Sequence, residues 1–125
     1  MIREFAFGFA DRHHFHPAVK ESEWGNIAKD TFMSLFCYDA DVIDYFESEK
    51  TLAGYDGLIY MPEEFLLDVD GPTIDVAKNK TIQLIRLLKS KQVPYNIYFS
   101  GRGFHVGIPG TAFRWSPSPN LHLKV

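Results

Sequence analysis

The chain has 125 residues, of which 46% are hydrophobic and 15% aromatic, enough apolar side chain to build one packed domain or part of a larger one. Its single cysteine, Cys37, excludes a disulfide framework and a cysteine-built zinc site, and it indicates a reducing compartment. No apolar run reaches the length of a membrane span and the N-terminus lacks a signal-peptide core, so we expect a cytoplasmic protein without a membrane partner.

The net charge of −3 combines an acidic part and a basic part. Residues 1–75 contain all sixteen acidic side chains and five basic ones, whereas residues 76–125 contain eight basic side chains and no acidic one. A basic surface beside an acidic site suits an anionic ligand whose charge is partly neutralised by metal ions. The alternative is an ordinary solvated helix, because five of the eight bases fall within residues 78–91.

The first half of the chain predicts a loop followed by helices. We expect the histidines of the segment HHFH, residues 13–16, to lie in an exposed loop, with metal binding as the alternative. Residues 23–48 place apolar side chains at mostly helical spacing, which predicts one or two helices. Cys37 falls in that apolar stretch, and we expect it in the core.

Two strands are predicted next, within residues 54–70. The pattern indicates a strand, a Pro-Glu-Glu turn and a second strand, FLLDVD, which Gly71 and Pro72 end because proline cannot continue a ladder. Strand alternation places Leu66, Asp68 and Asp70 on one face of this second strand.

Residues 73–92 form the clearest predicted helix. Asp75 is a candidate cap for its start, and Lys89 and Lys91 fall in its last turn, where the helix dipole favours cations. The apolar stripe of this helix is predicted to contain Ile82, Ile85 and Leu88, with Leu84 beside it.

Two more strands, within residues 93–101 and 104–110, surround a glycine turn. From residue 64 the order strand, helix, strand, strand is that of the first two-thirds of a ferredoxin-like, RRM-type βαββαβ unit, which predicts an α+β fold. Near the C-terminus, Ser118 is a candidate N-cap and Pro119 a first helical residue, so a helix starts where the sequence ends. We therefore expect a truncated chain, with a natural frayed terminus as the alternative.

The aspartates of FLLDVD suit a metal site. Their Cα atoms should lie roughly 6.5–7 Å apart on one face, and like charges this close repel unless a cation joins them. Oxygen ligands suit Mg²⁺ or Mn²⁺, and two such ions about 3.5–4 Å apart are the usual device for phosphoryl or nucleotidyl transfer. Taken alone, Asp68 and Asp70 also fit the end of a surface strand.

The glycine turn suits an anionic ligand. With an even hairpin loop of two or four residues, Ser100 and His105 share one face, while Phe99, Phe104 and Val106 occupy the other face, in the core. Arg102 then lies at the tip between two glycines. A hydroxyl, a guanidinium and an imidazole suit the oxygens of a triphosphate. A purely structural hairpin is the alternative, and an odd loop would separate Ser100 from His105.

An apolar strand ending in Asp-x-Asp, then a helix, then a strand ending in SGRGFH resembles the archaeo-eukaryotic primase superfamily, the primase-polymerases. FLLDVD matches the first motif of that family, and SGRGFHVGIP matches the second, which is Ser-x-His in short. The resemblance covers residues 58–109, less than half of the chain. It implies a catalytic half of RRM type, here residues 61–125, packed on an N-terminal α/β module, here residues 1–60.

The resemblance also implies roles for individual side chains. Asp68 and Asp70 would be the catalytic metal ligands for Mg²⁺ or Mn²⁺, and Ser100, Arg102 and His105 would bind the phosphates of the incoming nucleotide. The third motif of the family, an apolar residue followed by aspartate, is absent, since no acidic residue follows Asp75. We explain the absence of the third motif by a chain that ends before it, and the alternative is that the protein is a degenerate relative of the family.

The leading functional hypothesis is therefore an enzyme, a DNA primase or primase-polymerase core. It would transfer nucleotides from NTP or dNTP on a single-stranded DNA template. If the chain is a fragment, we expect it to be inactive on its own. Lys89, Lys91 and Arg114 are candidate contacts to the template backbone. A helicase or another replication protein is a candidate partner.

Two other classes of function stay open. A non-catalytic RRM-like module would bind single-stranded nucleic acid by stacking bases on strand residues, and Tyr95, Ile97, Tyr98 and Phe99 offer such side chains. A metal-dependent nuclease would use the same two aspartates, but it leaves SGRGFH without a role.

Overall fold

The computed structural model describes residues 1–8, 10–17 and 31–125 of an α+β protein with antiparallel sheets. The chain divides into two compact units, Met1–Met61 together with Ser116–Val125, and Pro62–Trp115. The described elements are, in chain order, β1 (Ile2–Phe7), β2 (His14–Pro17), β3 (Thr31–Met33), β4 (Cys37–Tyr38), α1 (Asp41–Glu49), β5 (Ile59–Tyr60), β6 (Glu64–Val69), α2 (Ile74–Ser90), β7 (Asn96–Phe99), β8 (Phe104–Pro109), a 3₁₀ turn (Gly110–Phe113) and α3 (Leu121–Lys124).

The first unit is organised around β1. This strand pairs antiparallel with β2 on one edge and with β3 and β4 on the other, and β4 pairs in turn with β5. The prediction of helices over residues 23–48 was right only for its last part, since α1 begins at Asp41. Residues 31–33 and 37–38 are strands because they pair with β1, and residues 23–30 lie outside the described part.

The end of the chain completes the core of the first unit. Leu121 of α3 is fully buried and packs in one cluster with Val42 and Ile59. Ser118 forms two backbone hydrogen bonds of 3.2 Å with Ile59. The residue before α3 is Asn120, at φ +56°, so the prediction of Ser118 as the N-cap was wrong: its backbone is already engaged in a β-bridge.

Two smaller predictions in the first unit had mixed outcomes. Cys37 is in the core as expected, with 2% of its surface exposed, but it lies in β4 rather than in a helix. Of the predicted loop histidines, His14 and His16 lie in strand β2 (His14–Pro17) instead, and the His14 ring packs 4.9 Å from the ring of Phe7, whereas His13 precedes the strand.

The second unit is a three-stranded antiparallel sheet in the order β6-β8-β7, with α2 packed against β8 and β6. The predicted sequence of strand, helix, strand and strand is confirmed here. The core lies between helix and sheet, and its buried side chains are Leu88, Val106 and Ile108.

The start and the buried face of α2 differ from the prediction. Thr73, not Asp75, caps the helix, since its hydroxyl accepts a hydrogen bond of 3.3 Å from the backbone N–H of Val76. Ile82 is exposed, because the buried stripe of α2 runs through Ala77, Thr81 and Leu88 instead. Thr81 can be buried there since its hydroxyl donates to the Ala77 carbonyl.

Candidate functional site

The face of the three-stranded sheet opposite α2, here called the open face, carries a row of polar residues. Residues that pair directly across strands share a face, so Asp68, His105 and Tyr98 form one row across β6, β8 and β7. His105 Nε2 lies 3.5 Å from Asp68 Oδ1. The strand register thus brings the first predicted aspartate beside the predicted histidine.

The loop between β7 and β8 has an even number of residues, which is the condition under which Ser100 and His105 share one face. Phe99 pairs with Phe104, and the Ser100 N–H donates a hydrogen bond of 3.0 Å to the Gly103 carbonyl. The Gly103 N–H in turn donates to Ser100 Oγ at 3.1 Å. Ser100 therefore closes the turn as an acceptor, which leaves its own hydroxyl proton available for another group.

One predicted core residue of this hairpin is exposed. Phe99 has 67% of its surface accessible, because β7 is the edge strand and α2 packs on the other two strands. Its ring centre lies 5.6 Å from that of the neighbouring Phe104. The prediction that Phe99 lies in the core was wrong, whereas Val106 is fully buried as expected.

Asp70 reaches the hairpin because Gly103 has no side chain. A Cβ at Gly103 would fall 2.4 Å from the Val69 carbonyl oxygen and 2.6 Å from Asp70 Oδ1, so only glycine fits this position. Lys80 donates a hydrogen bond of 3.1 Å to the Asp70 carbonyl and lies at the same end of the sheet. The end of β6 and the glycine turn are thus held directly against each other.

The other predicted binding residues are at the far end of the second unit. Lys89 and Lys91 close α2, whose 17 residues span roughly 25 Å from its start near Asp70. Arg114 follows the 3₁₀ turn after β8, the end at which Pro109 pairs with Glu64. The structure therefore brings together Asp68, Asp70, Ser100, Arg102 and His105, and separates them from Lys89, Lys91 and Arg114.

Sequence reasoning missed Glu64. Its Oε2 atom accepts hydrogen bonds from Asn96 Nδ2 at 2.8 Å and from Tyr98 Oη at 3.1 Å, across the full width of the sheet. A Cβ at Gly107 would lie 2.4–2.7 Å from the Glu64 carboxylate, so the carboxylate rests on that glycine. The hydrogen bond to Glu64 raises the pKa of Tyr98. A glycine inside the apolar strand FHVGIP is the signal that could have indicated such a close approach.

The charged groups at the hairpin end of the open face are accessible. The Asp68 side chain is 64% exposed, and the side chains of Asp70 and Arg102 have no hydrogen-bond or ion-pair partner within the described ranges. No group of three or more histidine, cysteine or acidic side chains in the described part of the chain is arranged to hold a metal ion. The site itself offers two carboxylates on alternate residues and one imidazole.

No family model, curated protein or solved structure matches this chain. Among the residues that the structure describes, no helix is both long enough and apolar enough to cross a membrane.

Proposed function

We propose that this chain is the catalytic core of a DNA primase or primase-polymerase, which adds NTP or dNTP to a growing strand on a single-stranded DNA template. The observation that supports this most is the single row formed by Asp68 and His105, with Asp70 and the Arg102 turn beside it. Acidic metal ligands and phosphate-binding donors are the two halves of a nucleotidyl-transfer site.

The topology of the second unit supports the same proposal. Its first and last strands in chain order, β6 and β8, lie side by side, and β7 lies at the edge with α2 on one face. An edge position for the second strand, beside a central third strand that pairs with the first, is what a ferredoxin-like, RRM-type unit would require, and the proposal draws support from it. The catalytic half would then be Pro62–Trp115 rather than residues 61–125, because the last ten residues belong to the first unit.

Asp68 and Asp70 are suited to hold Mg²⁺ or Mn²⁺. Both present oxygen ligands, and the Asp68 side chain is largely exposed. Mg²⁺ is usually bound by one or two carboxylates together with the phosphates of the substrate, so two aspartates fit a site that the nucleotide completes. Such ions activate the attacking hydroxyl and neutralise charge on the reacting phosphate.

Three side chains of the hairpin would bind the polyphosphate. Arg102 presents a guanidinium at the tip of the turn, where its planar set of donors matches phosphate oxygens. Ser100 can donate its hydroxyl proton, since the hydroxyl takes part in the turn as an acceptor from the Gly103 N–H. His105 lies between the hairpin and Asp68, so it would contact the phosphate nearest the metal ligands.

The RRM-like binding module is the second candidate, and one observation favours it. Tyr98 is on the open face with 45% of its surface exposed, as a base-stacking residue must be. The other three suggested residues do not join it: Ile97 and Phe99 lie on the opposite face of β7, and Tyr95 packs against the core. In addition, three carboxylates on the open face would repel a phosphate backbone without metal ions.

The test of the proposed function is nucleotide addition by the full natural protein carrying Asp68→Asn or Asp70→Asn. We expect either substitution to abolish Mn²⁺-dependent extension of a labelled strand, because each removes one anionic ligand of a two-carboxylate site. Asp75→Asn, in the first turn of α2, is the matched control and should extend the strand at the wild-type rate.

Three results would contradict the assignment. Wild-type extension by the Asp68 or Asp70 variant would exclude these residues as the metal ligands. Shortening of the labelled strand in place of extension would indicate a nuclease. Single-strand binding that is unaffected by EDTA and needs no nucleoside triphosphate would favour the RRM-like module.

A further inference from the structure

The ring of Tyr98 is held in a fixed position on the open face. Tyr98 lies on the edge strand β7, yet its hydroxyl donates to Glu64 on the opposite edge strand, β6. To span β8, the ring has to run along the sheet toward Gly107 instead of projecting into solvent. The Asn96 amide donates to the same carboxylate oxygen, which holds Glu64 in turn.

Gly107 makes this arrangement possible. The Glu64 carboxylate occupies the space where a side chain at position 107 would stand, with both oxygens and the carboxyl carbon within 2.7 Å of that point. Any larger residue there would push Glu64 away from Tyr98 and Asn96. A glycine thus lies two residues from His105 on each side: Gly107 within β8 accommodates the carboxylate of Glu64, and Gly103 just before β8 accommodates that of Asp70, which follows β6.

The position of Tyr98 connects it to the site already described. It pairs directly with His105, which pairs with Asp68, so one row contains the ring, the imidazole and the carboxylate. The next row contains Leu66, Gly107 and Asn96. A ligand with its phosphates at the Arg102 turn therefore has, one row away, an exposed aromatic surface with an amide and a carboxylate at its border.

We infer that Tyr98 is the surface on which a nucleobase stacks, and that Glu64 and Asn96 position its ring. The identity of the ligand as a nucleotide rests on the proposed function. An aromatic ring of fixed orientation suits a base because every base has a flat face, and because little side-chain freedom is lost when the base binds. Glu64 Oε1 and the Asn96 carbonyl can accept hydrogen bonds from exocyclic amino groups of a base.

The experiment measures binding, so that it does not depend on catalysis. The ligands are ATP with Mn²⁺, inorganic triphosphate with Mn²⁺, and a thymidine oligonucleotide without metal. Tyr98→Ala should weaken the binding of ATP or of the oligonucleotide by about 5- to 150-fold, the range for one stacked base, and leave triphosphate unchanged. The ligand whose affinity falls identifies whether the base belongs to the nucleotide or to the strand.

Two further variants separate stacking from positioning. Tyr98→Phe keeps the ring but loses the bond to Glu64, so we expect a smaller loss of about 2- to 12-fold, the cost of immobilising one side chain. Phe99→Ala, which removes an exposed ring from the other face of the same strand, should change the affinity for none of the ligands.

The inference is overturned by equal losses for ATP and triphosphate in Tyr98→Ala, by the absence of any loss, or by a wild-type protein that binds neither ATP nor the oligonucleotide. Loss of base binding in Tyr98→Ala together with normal strand extension by the Asp68 variant would support base stacking on Tyr98 and contradict the proposed reaction. Inactive aspartate variants together with normal base binding by Tyr98→Ala would support the proposed reaction and contradict base stacking on Tyr98.

Discussion

The two units of this chain use their polar side chains in different ways. In the first unit, Tyr55 Oη donates a hydrogen bond of 2.6 Å to Asp41, and Arg3 donates to the Leu35 carbonyl and to the sulfur of Cys37. In the second unit, the side chains of Asp70 and Arg102 have no such partner in the described part of the chain, although both lie beside a tightly paired turn.

This difference helps to separate structure from function without relatives to compare. A polar group that is paired within the fold contributes to stability, and its loss leaves a partner unsatisfied. Asp70 and Arg102 are charged groups that lie at the turn and have no side-chain partner in the described part of the chain, so both are accessible to a ligand. The same open face also carries the paired set of Glu64, Asn96 and Tyr98, whose hydrogen bonds hold a ring in place.

The largest effect is expected from Leu121→Ala in the first unit. Leu121 is fully buried in the cluster with Val42 and Ile59, so its truncation should lower the free energy of unfolding by about 2–5 kcal/mol. Leu123→Ala is the matched control, since Leu123 is 76% exposed on the same helix and should change stability by about 0.5 kcal/mol or less.

Native-state hydrogen exchange at the amides of Val42 and Val106 would show which unit loses stability. The comparison predicts faster exchange at Val42 in Leu121→Ala and unchanged exchange at Val106. Equal acceleration at both amides, or similar losses of stability for the two leucine variants, would contradict the assignment of the last segment to the first unit.

An intermediate effect is expected from Gly103→Ala in the second unit. The new methyl group would meet the Val69 carbonyl, which is backbone and cannot move aside, so we expect a destabilisation of about 1–3 kcal/mol. It would also displace Asp70 and weaken Mn²⁺-dependent ATP binding. Gly107→Ala is the comparison for stability alone: its methyl group meets the flexible Glu64 side chain rather than backbone, so we expect a smaller loss than in Gly103→Ala, although Glu64 is displaced from Tyr98 and Asn96.

Denaturant titration of both glycine variants and ATP titration of Gly103→Ala would check these expectations. Comparable stability of Gly103→Ala and Gly107→Ala would show that the contact between the end of β6 and the turn is loose. In that case the fixed placement of Asp70 at the site would have to be given up.

The smallest effect concerns pH. Burial and the hydrogen bond to Asp41 raise the pKa of Tyr55, so its neutral form is the stable one in the fold. The resulting stability is present below the ordinary tyrosine pKa of about 10 and is lost as pH rises above it. Tyr55→Phe should be less stable at pH 7 by about 0.5–1.5 kcal/mol, and it should lose less stability than the wild type between pH 9 and pH 11.

Thermal unfolding followed by circular dichroism across that pH range would measure the effect. An identical decline with pH in the wild type and in Tyr55→Phe would mean that Tyr55 is not the titrating group. It would also weaken the view that the polar side chains of the first unit serve its stability.

Prediction from the sequence succeeded where local pattern decides the structure. The alternation of FLLDVD, the length of α2 and the glycine turn are properties of short segments, and all three are present in the second unit. The shared face of Ser100 and His105 followed from the parity of the hairpin loop. The juxtaposition of Asp68 with His105 required the register between β6 and β8, which the sequence alone left undetermined.

Prediction failed where distant partners decide. The apolar residues around position 35 fit a helix as well as a strand, and pairing with β1 selected short strands. The cap of α2 is a local exception: Thr73 directly precedes the first helical residue and its hydroxyl accepts from the Val76 N–H, whereas Asp75 already lies inside the first turn. Glu64 was missed since its partners, Asn96 and Tyr98, are more than 30 residues away along the chain.

The burial of Cys37 gives the molecule a built-in chemical reporter. It is the only thiol of the chain, it lies in the core of the first unit, and Arg3 Nε contacts its sulfur at 3.4 Å. A thiol-specific reagent can therefore react only when that part of the fold opens. When reclosing is faster than labelling, the labelling rate measures the opening equilibrium of the first unit, without an engineered probe and without a signal from the second unit.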